Sequence, residues 1–205
     1  MLTVCTLLWD ANDKSKSFSQ IYDESWVEKL YRGFARNLTV QFRFVCYTDR
    51  ARKMDSAITR MVVPGLGSGG YADCIKPYEM GVPMILVGLD TVVTGNCDHL
   101  AAYCTTADRF ALPRDPYKPA RACNGVALVP VGHEHIAAEH KGENDMDHVR
   151  SYPHRFIDDE FPGAVVSFKG SVKKRGLGDA RIVYFHGEEK PHQLPAGHPI
   201  LRHWI

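Results

Sequence analysis

Residues Pro83 to Asp90 read Pro-Met-Ile-Leu-Val-Gly-Leu-Asp, an apolar run that ends abruptly on a carboxylate. With no polar alternation, a run of this length reads as a short strand covered on both faces. Such strands belong to mostly parallel sheets with helices packed above and below. In those sheets ligands bind in the crevice beyond the carboxyl ends of the strands. Asp90 stands at that end, followed by Thr91-Val92-Val93-Thr94-Gly95-Asn96, where the chain is expected to leave the strand for a turn. Two readings of Asp90 are open on this segment alone: a hard oxygen ligand for a divalent metal carrying phosphates, or an aspartate that ends a strand and starts a turn.

The flanking sequence supplies the rest of an α/β pattern. Leu2 to Trp9 is a first strand, and Asp10 to Ser17 a polar loop in which Ser17 or the following Ser19 is a candidate helix cap. Ile21, Trp26, Leu30, Phe34 and Leu38 recur at helical spacing and predict an amphipathic helix over Ile21 to Leu38. Gln41 to Tyr47, Ala57 to Pro64 and Pro83 to Leu89 follow as strands. Strand, helix and strands with polar loops at the carboxyl ends predict a mixed, mostly parallel central sheet flanked by helices. Gly65-Leu66-Gly67-Ser68-Gly69-Gly70 has no phosphate-loop fingerprint and reads as a mobile surface loop. The second half is less regular. Strands are expected within Cys123 to Val131, Ala164 to Phe168 and Ala180 to Phe185, the last two joined by a Gly- and Lys-rich turn. Partial helices are expected within Gly132 to Lys141 and Asp145 to Asp159, and an irregular tail from Pro191. The expectation is one domain over 1–205, with a nucleotide-binding half (1–96), an acceptor and sugar half (97–190) and a C-terminal tail (191–205).

Composition excludes some classes. A formal net charge of +1 leaves no strong electrostatic footprint for a phosphate backbone, so general nucleic-acid binding is not indicated. The opening Leu2 to Trp9 lacks a basic flank and is too short to span a bilayer, and the six scattered cysteines form no C-x-x-C pair. They read as reduced apolar residues, and a cytoplasmic location is the expectation. The stretch His133-Glu134-His135…His140 invites a zinc site, but its spacings of two and five do not put two histidines on one helix face.

Three segments together carry a family resemblance. The first is the opening strand and helix followed by Phe42-Arg43-Phe44-Val45-Cys46-Tyr47-Thr48-Asp49. The second is Lys76 and then the apolar strand ending Gly88-Leu89-Asp90. The third is Phe161-Pro162-Gly163 with Ser167-Phe168-Lys169, then Arg181-Ile182-Val183-Tyr184-Phe185-His186-Gly187-Glu188-Glu189-Lys190-Pro191. In order along most of the chain, these resemble the nucleotide-sugar glycosyltransferases of GT-A fold, small bacterial and phage members related to the glycogenin-like family 8. The resemblance implies transfer of a hexose from a nucleoside diphosphate sugar to an unknown acceptor, with Mn2+ or Mg2+. It implies Asp90 and His186 as metal ligands. Gly187 and Lys190 fall in the G-x-x-K-P segment that meets the diphosphate, and Thr6, Trp9 and Asp49 lie near base and ribose. Lys76 comes near phosphate or ribose, Asn124 lies beside the donor sugar, and Asp158 and Asp159 take the catalytic pair's place. Two positions depart from the pattern: Gly88 replaces the first Asp of Asp-x-Asp, and the ligand histidine's place is Tyr184, with His186 two residues later. A catalytically degenerate nucleotide- or sugar-binding protein of the same fold is therefore the alternative.

Overall fold

The computed structural model describes residues 1–15 and 19–205, and counts below refer to those residues. A seven-stranded sheet runs in the order β3-β2-β1-β4-β7-β6-β8. Its strands are β1 (Leu2–Leu8), β2 (Phe42–Thr48), β3 (Ile58–Val62), β4 (Met84–Val87), β6 (Ala111–Leu112), β7 (Val126–Val129) and β8 (Arg155–Phe156). A three-stranded sheet, β5-β10-β9, comprises β5 (Thr91–Val93), β9 (Val165–Ser167) and β10 (Ile182–Tyr184). β3, β2, β1 and β4 pair in parallel, whereas β7 lies antiparallel to β4. The mixed, mostly parallel sheet flanked by helices is thus as the sequence predicts.

Alternation along the central strands divides the core into two layers. Val4, Phe44 and Ile85 face a cluster that includes Phe34 of helix α1 (Glu24–Asn37) and Leu100 of helix α2 (Asp98–Thr106). Cys5, Val45 and Leu86 face the opposite layer, built on Ile75 and Tyr78 of a 3-10 segment (Gly70–Met80) and on Ile136. All four residues of β4 are buried, as a strand covered on both faces requires. Helix α1 packs against β5 through Gly33, where an added Cβ would stand 3.3 Å from Val93 Cβ.

Several boundaries differ from the sequence reading. α1 begins at Glu24, because the Asp23 side chain accepts a hydrogen bond from the Ser25 N–H and so caps it. Ser19 instead donates to the Ser15 carbonyl at 2.8 Å, and Ser17 lies outside the described residues. Residues 91–93 do not leave for a turn at once: after two turn residues they form β5, antiparallel to β10. Asp90 therefore sits at the break between two sheets. The segment between β9 and β10 holds a π-helical turn (Phe168–Val172) and a short helix (Lys173–Arg175) where a turn was expected. The glycine-rich stretch is tied down rather than loose. Gly67 N–H donates to Asp73 Oδ2 at 2.6 Å and Gly67 C=O accepts from Asn12 Nδ2 at 2.8 Å. Among the described residues no helix is long and apolar enough to cross a membrane.

Gly67 has φ +87°, and a Cβ there would lie 2.3 Å from Trp9 Cδ1. Gly67→Ala is expected to cost about 2 kcal/mol, or roughly 4–8 °C in Tm for a chain of this size. It should also perturb Trp9 fluorescence. Gly142→Ala, at φ +95° with open space around it, should cost only the backbone strain of about 1 kcal/mol and leave that fluorescence unchanged. Equal losses in thermal denaturation would contradict the packing assigned to Trp9.

Candidate functional site

A cleft of about 250 Å³ opens at the carboxyl ends of β1 and β4. Its floor is apolar, with Leu86, Val87, Ala127 and Ile75, and its walls carry Trp9, Tyr22, Tyr71 and Tyr78. β7 runs antiparallel with Val126 opposite Val87, so Asn124 and Gly125, just before it, reach the same edge of the sheet. The Gly88 N–H donates to the Gly125 carbonyl at 3.1 Å and locks the two loops together.

Lys190 and Asp90 form an ion pair in the lining of the cleft, Nζ against Oδ2, with side chains 5% and 14% exposed. The Tyr22 hydroxyl donates to the same carboxylate oxygen at 3.0 Å. Burial, then the neighbouring Asp90 charge, pushes the Tyr22 hydroxyl well above its usual pKa, so it remains a donor. Gly187, with φ +71°, turns the chain after His186 so that Lys190 returns to the wall. Lys190 is the one Lys or Arg among the described residues lining the cleft.

Asp145, also lining the cleft, begins helix α3 (Asp145–Arg150) and accepts a hydrogen bond from Asn124 Nδ2. It is 7% exposed, and burial raises its carboxyl above the usual carboxylate range. At the β1 end, Thr6 is fully buried and its hydroxyl has no hydrogen-bond partner among the described residues. A buried orphan hydroxyl costs free energy, and a ligand polar atom in the cleft would satisfy it.

Of the residues singled out by sequence, Thr6, Trp9, Asp90, Asn124, His186, Gly187 and Lys190 line this cleft. Four others do not. Asp49 Oδ1 holds Arg52 at 2.8 Å, and Asp49 Oδ2 accepts from the Asp10 N–H at 3.0 Å. Lys76 pairs with Glu79 at 2.6 Å on the 3-10 segment. Asp158 accepts from the Arg114 N–H at 2.8 Å, and Asp159 pairs with the Arg114 guanidinium at 2.6 Å. Sequence reading missed Tyr22 and Asp145. The signal for Asp145 is weak but present: Asn144-Asp145-Met146-Asp147 is a helix start with the Asn144 side chain as its cap.

A Mn2+ or Mg2+ ion held by Asp90 and His186 does not fit these donors well. Asp90 Oδ2 already takes an ammonium and a phenol, and position 88 offers no carboxylate. His186 Nε2 lies 2.8 Å from the Ser167 hydroxyl. Among the described residues no three His, Cys, Asp or Glu side chains converge as a metal-binding group.

An open, mostly parallel α/β sheet with a cleft at its strand ends is an arrangement in which ligands commonly bind. A solved structure makes the fold more specific. The chain is similar to the glycosyltransferase GlyE of Streptococcus pneumoniae TIGR4, with a TM-score of 0.61 and 12% identity. The match covers 98% of this chain and 59% of that one, so this chain has the fold of that glycosyltransferase and spans little more than half its length. No protein-family model matches the sequence, and no curated protein does.

Asp145 gives a pH-dependent test. A carboxyl raised by burial favours its protonated form in the fold, so its share of stability is fullest below the unfolded pKa of about 3.9. That share is lost as pH rises through the folded value. Asp145→Asn removes the ionisation, so its Tm relative to wild type should be higher at pH 8 than at pH 4. A difference that does not change with pH, measured by thermal denaturation, would contradict the burial assigned to this carboxylate.

Proposed function

We propose that this chain is a GT-A-type glycosyltransferase that moves a hexose from a nucleoside diphosphate sugar to an acceptor. The observation that carries the reading is the buried Lys190, held by Asp90 at the carboxyl end of β4 beside the cleft. An ammonium fixed there can meet the negative charge that develops on a departing diphosphate. The fold shared with a glycosyltransferase supports the same conclusion.

The cleft divides naturally along the donor. Thr6 and Trp9, at the end of β1, lie on the side for base and ribose, where an orphan hydroxyl and an indole supply polar and stacking contacts. Lys190 takes the diphosphate. Asn124 and Asp145 orient hydroxyls of the sugar, since a hydrogen-bonded carboxyl and amide lining the cleft select hydrogen-bonding groups. In the reaction the bond from the anomeric carbon to the β-phosphate oxygen breaks. A bond from that carbon to the acceptor's nucleophilic atom forms, the acceptor's proton is released, and the nucleoside diphosphate leaves. Asp49, Lys76, Asp158 and Asp159 are given no part in this reading, because each is committed to a partner outside the cleft.

One observation favours a second reading, a nucleotide- or sugar-binding protein without transfer activity: Gly88 stands where a second carboxylate is expected. The two readings separate in one assay. With a panel of nucleoside diphosphate sugars, the transferase reading expects release of nucleoside diphosphate on transfer or slow donor hydrolysis. Asp90→Ala should lower that rate by roughly 10²-fold or more through the loss of Lys190's position. An unchanged rate removes Asp90 from the site, and donor binding with no release supports the binding protein.

A further inference from the structure

We infer that this cleft binds its nucleoside diphosphate without a resident divalent cation, the buried Lys190 ammonium standing in the place a metal would take. The inference rests on the reading of the cleft as a nucleotide-sugar site and adds the nature of its cation.

Three features of the wall carry it. First, Asp90 Oδ2 is engaged by both Lys190 Nζ and Tyr22 Oη. A divalent ion on that oxygen would displace both donors. It would also set a second positive charge beside a 5% exposed ammonium that had just lost its counter-charge. Second, Gly88 is not demanded by its backbone, because its φ lies outside the left-handed region. A Cβ there would stand 3.1 Å from Asp90 Oδ1, so a carboxylate at 88 would lie directly against Asp90. The wall as built pairs one acid with one base, whereas hard divalent cations are held by several oxygen ligands, with affinity set by the number of charged ones. Third, the other candidate ligand, His186, has its Nε2 against Ser167 Oγ at 2.8 Å, and that oxygen also accepts from the Gly170 N–H at 3.0 Å. His186 is thereby built into the turn after β9.

Lys190 has the chemistry for the role. An ammonium carries three N–H donors, so it can hold Asp90 and a phosphate oxygen together. Asp90, itself held by Tyr22, fixes where it points. The carbonyl and N–H of the Lys190 backbone are bonded to the Gln193 N–H and side chain, which anchors the residue from the other side.

The test is nucleotide binding by calorimetry with the diphosphates of adenosine, cytidine, guanosine, thymidine and uridine, in EDTA and in manganese. At least one should bind, with an affinity that changes less than about twofold between the two conditions. Lys190→Gln should weaken it roughly tenfold or more, the size of one charge-assisted hydrogen bond. Because that variant leaves Asp90 buried without its counter-charge, the double variant Asp90→Asn/Lys190→Gln removes both charges and must show the same loss. Gly88→Asp should bind the nucleotide more tightly in manganese than in EDTA, having gained the carboxylate a metal needs. Wild-type binding that tightens tenfold or more with manganese, or a double variant that binds like wild type, would overturn the inference while leaving the nucleotide reading intact. Absence of binding in both conditions would overturn both.

Discussion

The Asp90–Lys190 ion pair is the constraint on which the cleft end of this molecule depends. Asp90 lies where the chain leaves β4 of the large sheet and enters β5 of the small one, and Lys190 lies just beyond β10, the partner of β5. Tyr22, from the segment before α1, closes the group. One buried pair thus ties together three parts of the chain that are remote in sequence. Removing either member of such a pair typically costs about 3–5 kcal/mol, because the other charge remains buried and unpaired. The pair is weak evidence for stability as such, since an apolar replacement of the same shape often serves as well. Both of its members line the cleft.

The remaining polar groups of the cleft follow the same logic. Thr6 buries a hydroxyl that nothing among the described residues satisfies, and Asp145 buries a carboxyl whose main side-chain support is an amide. Burial of both costs free energy, and a carboxyl raised by burial in a cleft is a functional-site candidate. The acidic and basic groups outside the cleft contrast with them. Arg52 meets Asp10, Glu24 and Asp49 within hydrogen-bond distance, and Arg114 is held by Asp158 and Asp159. Those charges are consumed in holding loops in place.

Much of the fold was legible because its signals are local. The unbroken apolar run of β4 and the helical spacing of Trp26, Leu30 and Phe34 each reflect burial that one element imposes on itself. Asp90 and Lys190 were legible for a related reason, since one ends an apolar strand and the other sits in a distinctive glycine-containing turn. Non-local features were not. β5 has only three residues and owes its existence to β10, nearly ninety residues later. The antiparallel entry of β7 brings Asn124 to the cleft, where it bonds Asp145, and no periodicity in the sequence records strand direction. Tyr22 falls within the helix expected over Ile21 to Leu38, whereas α1 starts only at Glu24 and leaves Tyr22 before it. Lys76 and Asp49 failed to reach the cleft because nearer carboxylates and guanidinium groups claim them.

The most direct test of this account is a crystal structure of the protein with a bound nucleoside diphosphate. The β-phosphate is predicted within hydrogen-bond reach of Lys190 Nζ, with the base toward Thr6 and Trp9. A nucleotide seated elsewhere on the molecule, or one whose phosphates point away from Lys190, would contradict it.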